Sequence, residues 1–357
     1  MQVATGFWAS KVLLEAIEVD LFTVLASDNS GAGLTAAEVA SKVGWAACQA
    51  KRPLAICDFL NSLVALGFLV REDNDGDEAK HVYKNGADVG AFLNRNGPTF
   101  IGGYLSILNK RQYGLWGNLG EALKSGLPQN ELRGAPPGAD LWQGEHPGMY
   151  RSPEQTEGFL KAMAALQMGN FMLMCGGNAF DDVFGRAKVV CDCGGADATL
   201  ACMIAEKWGA TLDKVISLDL APTAPFAREV IDERGVAGKV HAVVGSFYDP
   251  LPEKADVIIL GNILHSFGVE TKMRILSNCL SALNEGGCLI AIELVADDAK
   301  RANVPALLMS LNMLIQTAGG ANFSMKEFEA WTKKAGFSGK CELRALTPGA
   351  GALLAFK

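Results

Sequence analysis

The sequence predicts an α/β protein: a Rossmann-like, doubly wound sheet ending in an antiparallel hairpin, preceded by a mostly α-helical winged-helix unit. Three observations carry this. From Lys188 onward, short apolar runs alternate with amphipathic helical patterns, which builds a mostly parallel sheet with helices on its faces. Within that alternation, Lys188 to Asp219 reads strand, glycine turn, helix, strand, acid. The last two runs, CELRAL and GALLAFK, flank the turn TPGAG and read as a closing hairpin.

The stretch Lys188–Asp219 also points to a ligand. Val189-Val190-Cys191 is followed by the small-residue turn Gly194-Gly195-Ala196-Asp197-Ala198, a helical pattern from Thr199 to Trp208, and Val215 to Leu218 ending on Asp219. Glycines let a backbone approach a ligand with no Cβ in the way. An acid ending the second strand can accept hydrogen bonds from both ribose hydroxyls. A dinucleotide needs G-x-G-x-x-G, which is absent, and Asp197 opposes a pyrophosphate. A ligand with ribose and adenine but no phosphate fits better, and S-adenosylmethionine is such a ligand.

The remaining elements follow in order. A helix spans Pro225 to Arg234. KVHAVVG runs into Ser246-Phe247-Tyr248, and ADVIILG runs into Asn262 to Phe267. A helix from Glu270 to Leu283 and the turn Asn284 to Gly287 lead to CLIAIEL. The apolar helix VPALLMSLNMLIQ and the helix MKEFEAWTKKAGF, closed by Gly336, precede the hairpin.

Toward the N-terminus, residues 7–26 place Phe7, Val12, Leu13, Ala16, Ile17, Leu21, Val24 and Leu25 at helical spacing. Thr35 with Glu38 forms a capping box, and a longer helix runs from Pro53 to Leu66. FLVRED and HVYKNG, about a polar tip, read as the wing hairpin. The tip carries Glu72, Asp73, Asp75, Asp77 and Glu78, the wrong charge for phosphate contacts, so the unit reads as a dimerisation domain. Residues 97–150 are helical and aromatic, broken by a loop at SGLPQNELRGAPPGAD. The helix at 153–175 is rich in Met and Phe, a composition that serves either core packing or a soft wall around a hydrophobic acceptor.

Composition narrows the function classes. The chain has 357 residues, a net charge of -7, 49% hydrophobic residues and no run of 18 apolar residues. These values predict about two globular domains, no nucleic-acid partner, no membrane span and a cytoplasmic location. The nine cysteines include no C-x-x-C pair. Cys191 and Cys193 read as small core residues on one side of a strand, and no metal site is expected.

From about Phe7 to the C-terminus the chain resembles the class I small-molecule O-methyltransferases, the two-domain dimeric family that includes caffeate and acetylserotonin methyltransferases. It is similar to bacterial members with patterns like GFWASK near the start, GNILH late and LLMSLNMLI before a Gly-Gly. The resemblance implies that Asp192, Gly194 and Gly195 form the first cofactor motif and that Asp219, with Leu220 beside it, meets the ribose. It implies that Ser246-Phe247 lies near the adenine, with Asn262 also on the cofactor. His265 matches the base of a His-Asp-Trp motif, Glu293 one acid flanking it, and Asn322 the place of a second glutamate. Ala198, Ser246, Ser266 and Phe267 depart from the family's usual Gly, Asp, Asp and Trp.

The expected enzyme is an S-adenosylmethionine-dependent O-methyltransferase acting on a phenolic or enolic hydroxyl of a small molecule. His265 is the expected base and Glu293 its support. Met163, Met168, Met309, Asn312, Met313 and Asn322 form the expected acceptor pocket. The expected domains are 1–95 for dimerisation, 96–175 for linker and pocket helices, and 176–357 for cofactor binding and catalysis. Carbon methylation of a 2-oxoacid, a non-catalytic scaffold and a winged-helix regulator are the alternatives.

Overall fold

A computed structural model describes the chain except for Met1, Asn29, Ser30, Asp75, Pro98, 136–138 and 143–147. Asp75 of the wing tip and His146 lie outside the described residues. The chain divides into two compact units, Met1–Gly114 and Leu115–Lys357. By packing, the segment 96–175 is therefore shared between the units.

In the first unit, helices Gly6–Glu18, Leu21–Ala26, Ala36–Lys42, Ala46–Lys51 and Pro53–Ala65 surround a small sheet of β1 (Leu34–Thr35), β2 (Leu69–Glu72) and β3 (Val82–Asn85). The strand order is β1-β3-β2, and β2 and β3 form the wing hairpin. The capping box is present, with Thr35 accepting from the Glu38 N–H and Glu38 accepting from the Thr35 N–H. The periodic stretch 7–26 is two helices rather than one, because Asp20 takes the left-handed conformation at φ 54°. Leu21, Phe22, Leu25, Leu60, Leu63 and Tyr83 pack into the core of this unit. Phe7, counted in the apolar stripe, stands 57% exposed beside the exposed Trp8.

The second unit is built on a seven-stranded sheet. Its strands are β4 (Val189–Cys193), β5 (Lys214–Asp219), β6 (Val240–Val244), β7 (Ala255–Gly261), β8 (Leu283–Leu294), β9 (Cys341–Ala345) and β10 (Ala350–Phe356). The order is β6-β5-β4-β7-β8-β10-β9, parallel from β6 to β8 and antiparallel at β10 and β9. Alternate strand residues enter opposite cores, as a period of two requires. Val190, Val215, Ile259, Ile290 and Leu354 pack on helix Thr199–Trp208 and its neighbours. Cys191, Ile216, Ile258, Leu289 and Leu353 pack on Ile275, Leu276 and Phe328 of the helices Val269–Ala282 and Met325–Ala335. Chain order reverses between β4 and β7, so their carboxyl ends open the crevice where such sheets bind ligands.

Candidate active site

The turn after β4 is held from within. The Gly194 and Gly195 N–H groups both donate to the Leu218 carbonyl, at 2.8 and 3.2 Å. A Cβ on Gly194 would come within 2.5 Å of Ile263 Cδ1, and one on Gly195 within 2.3 Å of Ser217 Oγ. The sequence reading gave these glycines the task of admitting a ligand. In the structure they also admit protein, because the turn folds back onto β5 and the segment after β7. Gly194, Ala196 and Ala198 all have positive φ. Ala198, at φ 65°, holds a conformation that glycine adopts without strain.

Around that turn stand three carboxylates, and among the described residues no cation is paired with them. Asp219 Oδ2 accepts from the Ala196 N–H at 2.8 Å, and Oδ1 from the Leu220 N–H at 2.6 Å. Enclosure by protein pushes the Asp219 carboxyl up to about 6 despite those two bonds. Asp192, 3% exposed, is pushed up to about 7 by burial and by the nearby charges of Asp219 and Asp197. Burial also raises Asp197, while its bond from the Thr199 N–H, at 3.1 Å, pulls the other way. Ser217 Oγ is buried with no hydrogen-bond partner among the described residues. Phe247 comes within 3.8 Å of a Cβ placed on Gly194, and its ring packs edge-on against Tyr248 and Phe267. Trp142 tilts against Phe267 at 6.0 Å between ring centroids. The Ser246 hydroxyl accepts from the Tyr248 N–H, and Asn262 ends β7's run at φ 54°. This donor and acceptor set fits S-adenosylmethionine. Buried carboxylates suit its cationic groups and ribose hydroxyls, the aromatic cluster suits adenine, and the crowded carboxylates oppose a phosphate.

A second group sits at the ends of β7 and β8. His265 lies in the 3-10 turn Leu264–Ser266, and Glu293 is the penultimate residue of β8. The His265 Nδ1 lies 2.5 Å from Glu293 Oε2, and the His265 N–H donates to Oε1 at 3.2 Å. Both oxygens of one buried carboxylate, 1% exposed, are thus spent on residue 265. Among the described residues Nε2 of His265 has no hydrogen-bond partner. A carboxylate on Nδ1 fixes that nitrogen as the donor and leaves Nε2 as the acceptor, the arrangement of a general base.

The acceptor residues divide into two sets. On the helix Val304–Gln316, Asn312 Oδ1 accepts from the Trp116 indole at 3.1 Å, and its amide reaches Met309 Sδ at 3.5 Å. Met313 is buried on the same helix. Asn322 donates to the Leu294 carbonyl at 2.7 Å, next to Glu293, and its buried Oδ1 has no partner among the described residues. Met163 and Met168 are half-buried on the helix Pro153–Gly176, which packs against helix Thr199–Trp208. One candidate residue escaped the sequence reading and left a signal: Ser217 is a polar residue in an otherwise apolar run.

Residues 116–338 match the O-methyltransferase domain, and residues 1–94 match the O-methyltransferase dimerisation domain. The chain is 32% identical to the tetracenomycin polyketide synthesis 8-O-methyl transferase of Streptomyces glaucescens, over 95% of this chain and 90% of that one. It is 30% identical to the 3-hydroxy-5-methyl-1-naphthoate 3-O-methyltransferase of Streptomyces sahachiroi, over 99% and 93%. Human N-acetylserotonin methyltransferase, solved in complex with S-adenosylmethionine, superposes with a TM-score of 0.85 at 25% identity, over 100% and 96%. Among the described residues no helix is long and apolar enough to cross a membrane. The chain belongs to the O-methyltransferase family: it is an S-adenosylmethionine-dependent enzyme that methylates oxygen on a small molecule, with a dimerisation domain at its N-terminal side.

Proposed function

We propose that His265 is the general base in methyl transfer to a phenolic or enolic hydroxyl of a small, partly apolar acceptor. The observation that carries this is the two-point hold of Glu293 on residue 265. With Nδ1–H committed to Glu293, an acceptor hydroxyl on Nε2 gives up its proton as its oxygen attacks. The imidazolium that forms is neutralised by the adjoining carboxylate. When bound, the cofactor supplies a methyl group on a sulfonium and a neutral thioether leaving group. The polyketide and hydroxynaphthoate named for the two bacterial relatives support a phenolic acceptor.

In this reading Asp192, Gly194, Gly195, Asp219, Leu220, Ser246, Phe247 and Asn262 form the cofactor cradle. Met309, Asn312, Met313 and Asn322, with Met163 and Met168, shape the acceptor side. The working segments are 1–95 for dimerisation, 96–175 for linker and pocket helices, and 176–357 for cofactor and catalysis. The protein is a cytoplasmic homodimer joined through its N-terminal unit, with no nucleic-acid partner. The exposed apolar Phe7, Trp8 and Leu54 support the dimer, and the exposed Asp73, Asp77 and Glu78 of the wing tip oppose phosphate.

His265→Ala should lower transfer to phenols and hydroxynaphthoates by about 10²- to 10⁴-fold, read as S-adenosylhomocysteine release. Calorimetric affinity for S-adenosylhomocysteine should stay unchanged in that variant. Full activity would remove the base assignment. Light scattering should return the mass of two chains, and Trp8→Glu should shift it toward one; a single-chain mass for the parent protein would end the dimer reading.

A further inference from the structure

Lys272 lies in the helix Val269–Ala282 and is 2% exposed. Its ammonium donates to the Ala321 carbonyl at 3.0 Å and lies over the rings of Phe323 and Trp331, at 5.0 and 4.8 Å. Among the described residues no carboxylate pairs with it directly. Burying an ammonium on one carbonyl and two ring faces is costly, and a methionine would fill the same slot without desolvating a charge. Packing therefore does not explain the lysine.

Its surroundings do. The charged groups that act on it are Glu293 from β8, Glu327 from the helix Met325–Ala335, and Lys300 from the segment after β8. Glu327 is already occupied by Lys300 at 2.8 Å. That leaves Glu293, whose partner His265 is neutral until it takes a proton. The loop that Lys272 grips also backs the base: a Cβ on Gly320 would come within 2.6 Å of the His265 carbonyl oxygen. Asn322 in the same loop bonds the carbonyl next to Glu293.

We propose that Lys272 is a positioning residue for the base: its buried ammonium is the resting counter-charge of Glu293, and its bond to Ala321 clamps the Gly319–Asn322 loop against the His265 backbone. The inference rests on the reading of His265 and Glu293 as a working pair. A positive charge here stabilises the Glu293 carboxylate that holds His265 Nδ1. Burial draws the Lys272 ammonium down to about 8, against the pull of Glu293 and Glu327, so it stays charged near neutral pH.

The test needs no acceptor. The chain has four histidines, so the imidazole of His265 can be followed by nitrogen-15 NMR and assigned by its loss in His265→Ala. Lys272→Met and Lys272→Gln should both raise the His265 midpoint by about one unit, because a neighbouring positive charge is gone. Lys272→Arg should restore it. Glutamine keeps a donor for Ala321, so it separates charge from clamp and carries the test if the methionine variant folds poorly. An unmoved midpoint in the folded neutral variants would overturn the proposal, whatever His265→Ala does to transfer. A change in transfer by His265→Ala with no change here would leave the base in place and remove Lys272 from it.

Discussion

The two ends of the active crevice are electrically opposite. At the β4–β5 end, Asp192, Asp197 and Asp219 crowd together, with burial raising each carboxyl and, among the described residues, no cation paired to any of them. At the β7–β8 end, the buried Glu293 spends both oxygens on His265. In the proposed function the first region takes its positive charge and hydroxyl donors from the cofactor, while the second has its hydrogen bonds filled from within the protein. Under that proposal a site that binds a cation leaves its anions unpaired, whereas a site that moves a proton settles its hydrogen bonds beforehand.

That contrast breaks most visibly with pH. Asp192 and Asp219 sit above the ordinary carboxylate range, so between about pH 4 and 7 the folded protein holds protons that the unfolded chain has released. Stability of the ligand-free protein should therefore fall as pH rises through that window. Asp192, the more deeply buried, should contribute most of a loss on the order of a few kcal/mol. Affinity for S-adenosylmethionine should rise over the same window, as the ionised cluster gains its counter-charge. Asp192→Asn should flatten both curves. Thermal unfolding and calorimetry across about pH 4 to 8 measure the two slopes, and a flat parent protein would erase the contrast between the regions.

A smaller effect sharpens it. The cofactor turn stores backbone strain that the base does not, since Ala198 sits at φ 65° while its side chain is fully buried. Ala198→Gly removes the strain but loses a buried methyl and adds freedom to the unfolded chain. We expect a net gain of at most about 1 kcal/mol, seen as a modest rise in melting temperature. A clear loss would mean that the methyl's packing outweighs the strain.

Much of this was legible in one dimension. The Thr199–Trp208 helix and the Ala255–Gly261 strand stand where periodicity put them, and the closing hairpin was readable from TPGAG between two apolar runs. Such features depend on neighbours a few residues apart, which local sequence specifies. The break at Asp20 was not legible, because a left-handed residue inside a continuous apolar stripe leaves the stripe intact.

What sequence determined by itself was therefore the framework: an α/β sheet, an acid ending its second strand, and a histidine just past a strand end. Tertiary structure alone decided which groups meet. His265 and Glu293 are 28 residues apart and come together only because β7 and β8 pair in parallel and end at the same edge. Lys272 and Ala321 are joined across 49 residues by a helix and a loop that pack behind that edge. Spacing along the chain carries no record of such contacts. They arise from strand order and burial, which also decide whether a charge is costly, paired or waiting for a ligand.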